Sequence, residues 1–178
     1  MSRIALLLTL LCAAPLAAQN TDDPPPTNFA VAAAGNAWNS VTNYLQKAAE
    51  QFPDSAYDFK PTPEVRSFGE LIGHVAGSQQ MFCAAALGEP QPPEDAVEKS
   101  AKSKADLVDA LKKSSEYCMR AYAQTDQQVQ GKVKMFGQEM SKLDILLINA
   151  THDNEHYGNI VTYMRLKGMV PPSSQPRR

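Results

Sequence analysis

The chain has 178 residues, with 17 basic and 19 acidic side chains and a formal net charge of −2. No run of basic residues exceeds an adjacent pair, as at Arg177-Arg178, which argues against an electrostatic nucleic-acid footprint. Beyond the N-terminal region no stretch is long and apolar enough to span a membrane, and the length suits one domain.

The first 19 residues read as a secretory signal peptide: Arg3 supplies the basic start, residues 4–11 a short apolar core, and Leu16-Ala17-Ala18 the small residues before Gln19. Cys12 follows the bulky Leu11, a poor lipoprotein site. Residues 20–28, with Pro24-Pro25-Pro26, read as an extended leader. The expectation is an exported, periplasmic protein without stable membrane insertion once the signal is removed. Its domain covers residues 29–172, followed by a disordered tail at 173–178. Loss of Arg3 leaves 16 basic against 19 acidic side chains, a net charge of −3. Cys83 and Cys118 remain, and in an oxidising compartment they could pair.

Helix one is expected over residues 29–51, with Ala33, Trp38, Val41, Leu45 and Ala48 at helical spacing before Phe52-Pro53-Asp54 stops it. Pro61 and Pro63 hold the next segment extended. Ser67-Phe68-Gly69-Glu70 is a capping box that opens helix two, whose stripe is Leu71, His74, Ser78, Met81 and Ala85, closed by Gly88 and Pro90. Residues 89–101 read as an irregular crossover, longer than an antiparallel helical hairpin needs and able to cross the length of a bundle. Helices two and three would then run parallel, with Cys83 and Cys118 at similar heights. Helix three, over about 102–123, carries Leu107, Leu111, Met119 and Tyr122. Residues 133–140 form an extended excursion turning at Gly137. Helix four starts at Ser141-Lys142-Leu143-Asp144 and ends near Lys167, before Gly168 and Pro171-Pro172.

All three histidines of the chain fall on these helices: His74 on helix two, His152 and His156 on helix four. A spacing of four residues puts His152 and His156 on one face, within an arc shared by Ile145, Ile148, Asn149, Asn159, Ile160 and Tyr163. That arc points into the bundle. An ordinary core histidine with a hydrogen-bond partner is the better reading for His74 alone. For His152 and His156 together it is weaker, because two desolvated imidazoles must each find partners. With His74 they form a three-nitrogen site for a divalent metal cation, and imidazole ligands suit zinc, nickel, copper or iron.

The string His152-Asp153-Asn154-Glu155-His156 also matches the inverted zinc-peptidase pattern. Those enzymes need a further carboxylate ligand downstream, and the 22 residues after His156 contain no Asp or Glu. Glu155, about 60° round the helix from His152, could lie beside the metal as a catalytic base or be a solvated flank carboxylate. Asp153 points further away and reads as a surface or supporting group. Asn149-Ala150-Thr151 is formally a glycosylation sequon but lies inside the helix. Trp38, Tyr157 and Tyr163 could line a pocket, although aromatics at helical spacing are more often core.

The run from Tyr57 to Ala76, with Lys60-Pro61-Thr62-Pro63 and Ser67-Phe68-Gly69-Glu70-Leu71-Ile72-Gly73-His74, resembles the second-helix signature of the DinB-like proteins. The run from His152 through Tyr157 to Gly168, followed by Pro171-Pro172, resembles their fourth-helix signature. The resemblance implies an all-α four-helix bundle of up-down-down-up topology, with a divalent metal held by His74, His152 and His156. It also implies kinship with S-transferases and isomerases that use low-molecular-weight thiols, although an export signal would remove the chain from cytosolic thiol pools; the expectation is therefore a metal-dependent enzyme, hydrolytic or thiol-transferring. The alternative is a non-catalytic metal- or ligand-binding bundle. The expected partner is a small-molecule substrate or ligand, with no nucleic acid, and a homodimer is left open.

Overall fold

The computed structural model describes residues 28–101 and 103–176. The expected signal peptide, and all of the leader except Asn28, lie outside the described residues. In chain order the helices are α1 (Phe29–Gln51), α2 (Phe68–Leu87), α3 (Ala96–Ser100), α4 (Lys104–Tyr122) and α5 (Lys142–Leu166). α1, α2, α4 and α5 pack as the expected all-α four-helix bundle. Among the described residues no helix is long and apolar enough to cross a membrane.

Three of the helix starts, those of α2, α4 and α5, have a local cause. At α2 the Glu70 backbone N–H donates to Ser67 Oγ at 3.1 Å, and the Ser67 N–H donates to the Glu70 carboxylate at 2.6 Å. The same box opens α5 through Ser141 and Asp144, and α4 through Ser103 and Asp106. The box at Ser103 moves the start of α4 from residue 102 to Lys104. Gly88, at φ 78°, closes α2 in the left-handed conformation that a residue without Cβ adopts cheaply.

Residue pairings give the helix directions. Gln79 meets Ser114 and Ser115, Cys83 meets Cys118, and Ala86 meets Gln124, so α2 and α4 run the same way. His74 meets His156, Gln79 meets Asp153, and Cys83 meets Asn149, so α2 and α5 run in opposite directions. The core is divided into two apolar clusters. One is built on Phe52, Phe68, Ile72, Leu111, Ile160 and Met164, the other on Trp38, Phe82, Cys118, Ile145 and Leu146. Along α2, α4 and α5 the two clusters are separated by a polar layer: Gln79, Ser114 with Ser115, and Asp153.

Cys83 and Cys118, both fully buried, are joined as a disulfide with a Cα–Cα distance of 5.3 Å. Closing a 35-residue separation removes conformational freedom from the unfolded chain worth on the order of 3–4 kcal/mol. Reduction is expected to lower the denaturation midpoint accordingly. Thiol titration of the denatured, unreduced protein should find neither Cys83 nor Cys118 free; two free thiols from these positions would contradict the bond.

The structure departs from the sequence reading in several places. Residues 89–101 are not wholly irregular, since they carry α3, which packs on α2. Met119 is exposed, because the seam with α2 runs through Ser115 and Cys118, and a step of about 100° from Cys118 turns Met119 to solvent. Ala33 is exposed, its neighbour Ala34 facing the core instead. The extended excursion is an antiparallel hairpin of β1 (Lys132–Met135) and β2 (Gln138–Ser141). Its two turn residues, Phe136 at φ 50° and Gly137 at φ 77°, have the positive dihedrals of a tight hairpin loop. Pro172–Ser174 forms one 3-10 turn, and the Ser173 N–H donates to the Tyr157 hydroxyl at 2.9 Å. The fold therefore continues past Pro172, into the stretch read as a disordered tail.

Candidate metal centre

The antiparallel pairing of α2 with α5 brings His74 against both histidines of α5. His74 Nε2 lies 3.2 Å from His152 Nε2, which lies 3.1 Å from His156 Nε2. A ring nitrogen carries either one proton or one lone pair, so His152 Nε2 cannot serve both neighbours well as a hydrogen-bond partner. The spacing does fit ligands of one cation: bonds of about 2.0–2.1 Å in a tetrahedral arrangement separate nitrogens by about 3.3–3.4 Å. One ligand atom from each residue can be chosen with all three within 4.8 Å of one another, so the cluster could hold a metal ion.

Protonation favours the same reading. Burial first, and then neighbouring positive charge, hold the His74 and His152 imidazoles down to a pKa of about 4. Burial also lowers His156. All three are therefore neutral at physiological pH, the form that binds metal. On the far side of the rings, His74 Nδ1 and His152 Nδ1 are buried without a hydrogen-bond partner. A Glu98 oxygen stands 3.8 Å from His74 Nδ1, suited to draw the ring proton there and leave Nε2 free. The Asn159 amide nitrogen lies 3.5 Å from His156 Nδ1; the amide turned over, with its oxygen there, would favour the same tautomer.

Two carboxylates reach the cluster from the crossover. Glu94 Oε1 is 3.9 Å from both His74 Nε2 and His152 Nε2, and it accepts a 2.9 Å hydrogen bond from Ser78 Oγ, one turn along α2 from His74. Glu98, four residues on, is the carboxylate beside His74 Nδ1. They arrive there because α2 presents glycine where the crossover lies against it. A Cβ on Gly77 would come 2.0 Å from the Glu94 carbonyl oxygen, and one on Gly73 would come 2.9 Å from the Glu98 Cα. Gly77→Ala must push the crossover away, so we expect a loss of about 1–3 kcal/mol or more, read from thermal or denaturant unfolding. A variant as stable as the parent would show that the crossover yields freely.

The sequence-predicted residues divide clearly. His74, His152 and His156 converge. Glu155 is exposed and acts on His152 and His156 only through its charge. Asp153, read as a surface or supporting group, is instead fully buried in the polar layer. The reason is that α5 packs on both α1 and α2, so its buried face is wide and Asp153 sits near its middle. Gln79 Nε2 donates to Asp153 Oδ2 at 2.7 Å, and Gln79 Oε1 accepts from Ser114 at 2.7 Å and Ser115 at 3.2 Å. Burial raises the Asp153 carboxyl to about 7; Gln79, Trp38 and Thr42 oppose the shift, although the Trp38 and Thr42 groups stay outside strict hydrogen-bond geometry. Glu94 and Glu98 escaped the sequence reading because their segment carries no helical period of useful length. The available signal was the four-residue spacing of Gly69, Gly73 and Gly77, a smooth strip along α2 that invites close backbone approach.

A cleft of about 690 Å³ opens beside His156 between the proline-bearing segment 60–66 and α5. It is large enough for a small molecule and leads to the edge of the histidine cluster.

Residues 37–160 match the DinB superfamily. No curated protein sequence is detectably similar to the chain. Among solved structures, a DinB-like protein from Bacillus cereus superposes with a TM-score of 0.68 at 18% identity, covering 78% of this chain and 93% of that one. YfiT from Bacillus subtilis, a probable metal-dependent hydrolase with an unusual four-helix bundle topology, gives 0.61 at 16% identity, covering 78% and 88%. A mycothiol-dependent maleylpyruvate isomerase gives 0.60 at 16% identity, covering 74% of this chain and 59% of that one. At these identities the structural likeness speaks for the fold.

Proposed function

The chain belongs to the DinB superfamily, and we propose that it is an exported metal-dependent hydrolase of small molecules. The observation that carries this reading is the convergence of three neutral imidazole Nε2 atoms with Glu94 Oε1 poised 3.9 Å from two of them. His74, His152 and His156 would hold the ion. A divalent cation bound there supplies Lewis acidity toward a substrate oxygen.

The protein's own groups do the rest. The cleft beside His156 admits the substrate. Glu94, aimed by the Ser78 hydroxyl, accepts the proton of the attacking water as its oxygen bonds to the acyl carbon. When the bond to the leaving group breaks, Glu94 returns that proton to it. In this scheme Glu94 takes the catalytic role that the sequence reading gave Glu155, because Glu94 is the carboxylate beside the imidazole nitrogens. Glu98 and Asn159 keep the His74 and His156 rings oriented.

Hydrolysis is favoured over thiol transfer by the Cys83–Cys118 disulfide, which accords with an oxidising compartment, as does the signal-like N-terminus. The test is a panel of esters, amides and thiol conjugates offered to stripped and metal-reconstituted protein. Hydrolysis should vanish with a chelator and return with a divalent ion. Turnover that needs an added thiol and consumes no water would assign the site to transfer instead.

A further inference from the structure

The charged groups lining the cleft beside His156 are not equivalent. Lys60 Nζ is engaged by Glu70 at 2.9 Å, and Glu70 is itself committed to the cap of α2. Arg66 is held along one edge only. Its Nε donates to Glu98 Oε1 at 3.1 Å and Oε2 at 3.3 Å, while its two terminal amino groups make no hydrogen bond among the described residues. The Arg66 side chain keeps 43% of its surface exposed, whereas the Glu98 carboxylate is mostly covered. The backbone beneath is fixed by Tyr163, whose hydroxyl donates to the Arg66 carbonyl. Glu98 also stands 3.8 Å from His74 Nδ1, so a single carboxylate spans from the guanidinium to the histidine cluster.

We propose that Arg66 is the substrate-anchoring residue of this cleft, and that the substrate carries a carboxylate within a few bonds of its reacting carbonyl. A guanidinium aimed by a carboxylate on one edge presents its remaining N–H donors as a planar fork that matches a second carboxylate. A phosphate, which can concentrate two negative charges on the one group facing Arg66, suits the cleft less well than a carboxylate, because Glu64, Glu70 and Glu98 line the same walls. The position of the reacting carbonyl rests on the hydrolase reading above; the anion site itself does not.

The test uses the purified, metal-free protein at low ionic strength, titrated with glutarate, with the neutral glutaramide and with inorganic phosphate, and followed by calorimetry or amide chemical shifts. Glutarate should bind and shift resonances around Arg66 and Asn159, while glutaramide should not. Arg66→Met should weaken glutarate by about ten- to a hundredfold, the range for charge-assisted hydrogen bonds. Arg66→Lys, which keeps the charge but loses the fork, should retain part of the binding and safeguards against a variant that fails to fold. Glutarate binding unaffected by either substitution, absent from the parent, or matched by glutaramide would overturn the proposal. Phosphate binding tighter than glutarate would overturn the carboxylate preference. In the metal-loaded protein, Arg66→Met should raise KM for carboxylate-bearing esters by a larger factor than for neutral esters. Loss of ester turnover without loss of glutarate binding would sink the hydrolase reading alone.

Discussion

Replacement of His152 by alanine is expected to take bound divalent metal from about one ion per chain to near none, measured by elemental analysis after dialysis. His152 is the central imidazole, with both Nε2 contacts of the cluster meeting at its ring. Its loss leaves two ligands whose nitrogens no longer share a neighbour, so affinity should fall by more than the roughly 10–100-fold that follows loss of an outer-sphere partner. His156→Ala and His74→Ala should behave similarly. The pH dependence should be unusual for imidazole ligands. Because burial holds His74 and His152 to a pKa of about 4, protons compete with the metal only well below the ordinary histidine range near 6.5. The metal-free protein carries the matching stability signature. Between about 4 and 6.5 the unfolded chain protonates histidines that the folded chain keeps neutral, so these groups make stability fall as pH drops through that window. Asp153, raised to about 7, acts in the opposite sense from 3.8 upward, but it is one group against three. Metal release that tracks pH 6.5, with stability flat below it, would show that the imidazoles are solvated.

Glu94→Gln should lower turnover about 10²–10⁴-fold while leaving metal content and thermal stability close to the parent's. The amide keeps the size of the side chain and can still accept from Ser78, but it cannot take a proton from water. Glu94 is half-buried at the edge of the cluster, so the substitution leaves no uncompensated buried charge. Glu155→Gln, on the exposed flank of α5, should leave turnover near the parent's. The reverse outcome, with Glu155 essential and Glu94 dispensable, would return the base to the position the sequence pattern suggested.

What could be read from the sequence follows the range of the interactions concerned. Ser67 with Glu70, Gly88 and the Pro171-Pro172 stop are local, and the helix ends they set were legible. The histidine pair was legible because one helical turn fixes the relation of His152 to His156 whatever else happens. His74 was legible less directly, through its stripe and the family resemblance. Glu94 and Glu98 were not, since their places depend on how close the crossover comes to Gly73 and Gly77, a tertiary distance that no period encodes. Asp153 was misread for a related reason. A wheel shows which residues share a face, but the width of the buried face on α5 is set by its having two neighbours, α1 and α2.

The most direct test of the central claim is anomalous diffraction at the zinc edge from crystals of the protein loaded with zinc. One peak per chain is expected, about 2.0–2.1 Å from the Nε2 atoms of His74, His152 and His156, with Glu94 beside it and not replaced by Glu155. Saturating zinc that leaves no peak among the three imidazoles, or places it elsewhere on the chain, would contradict the account.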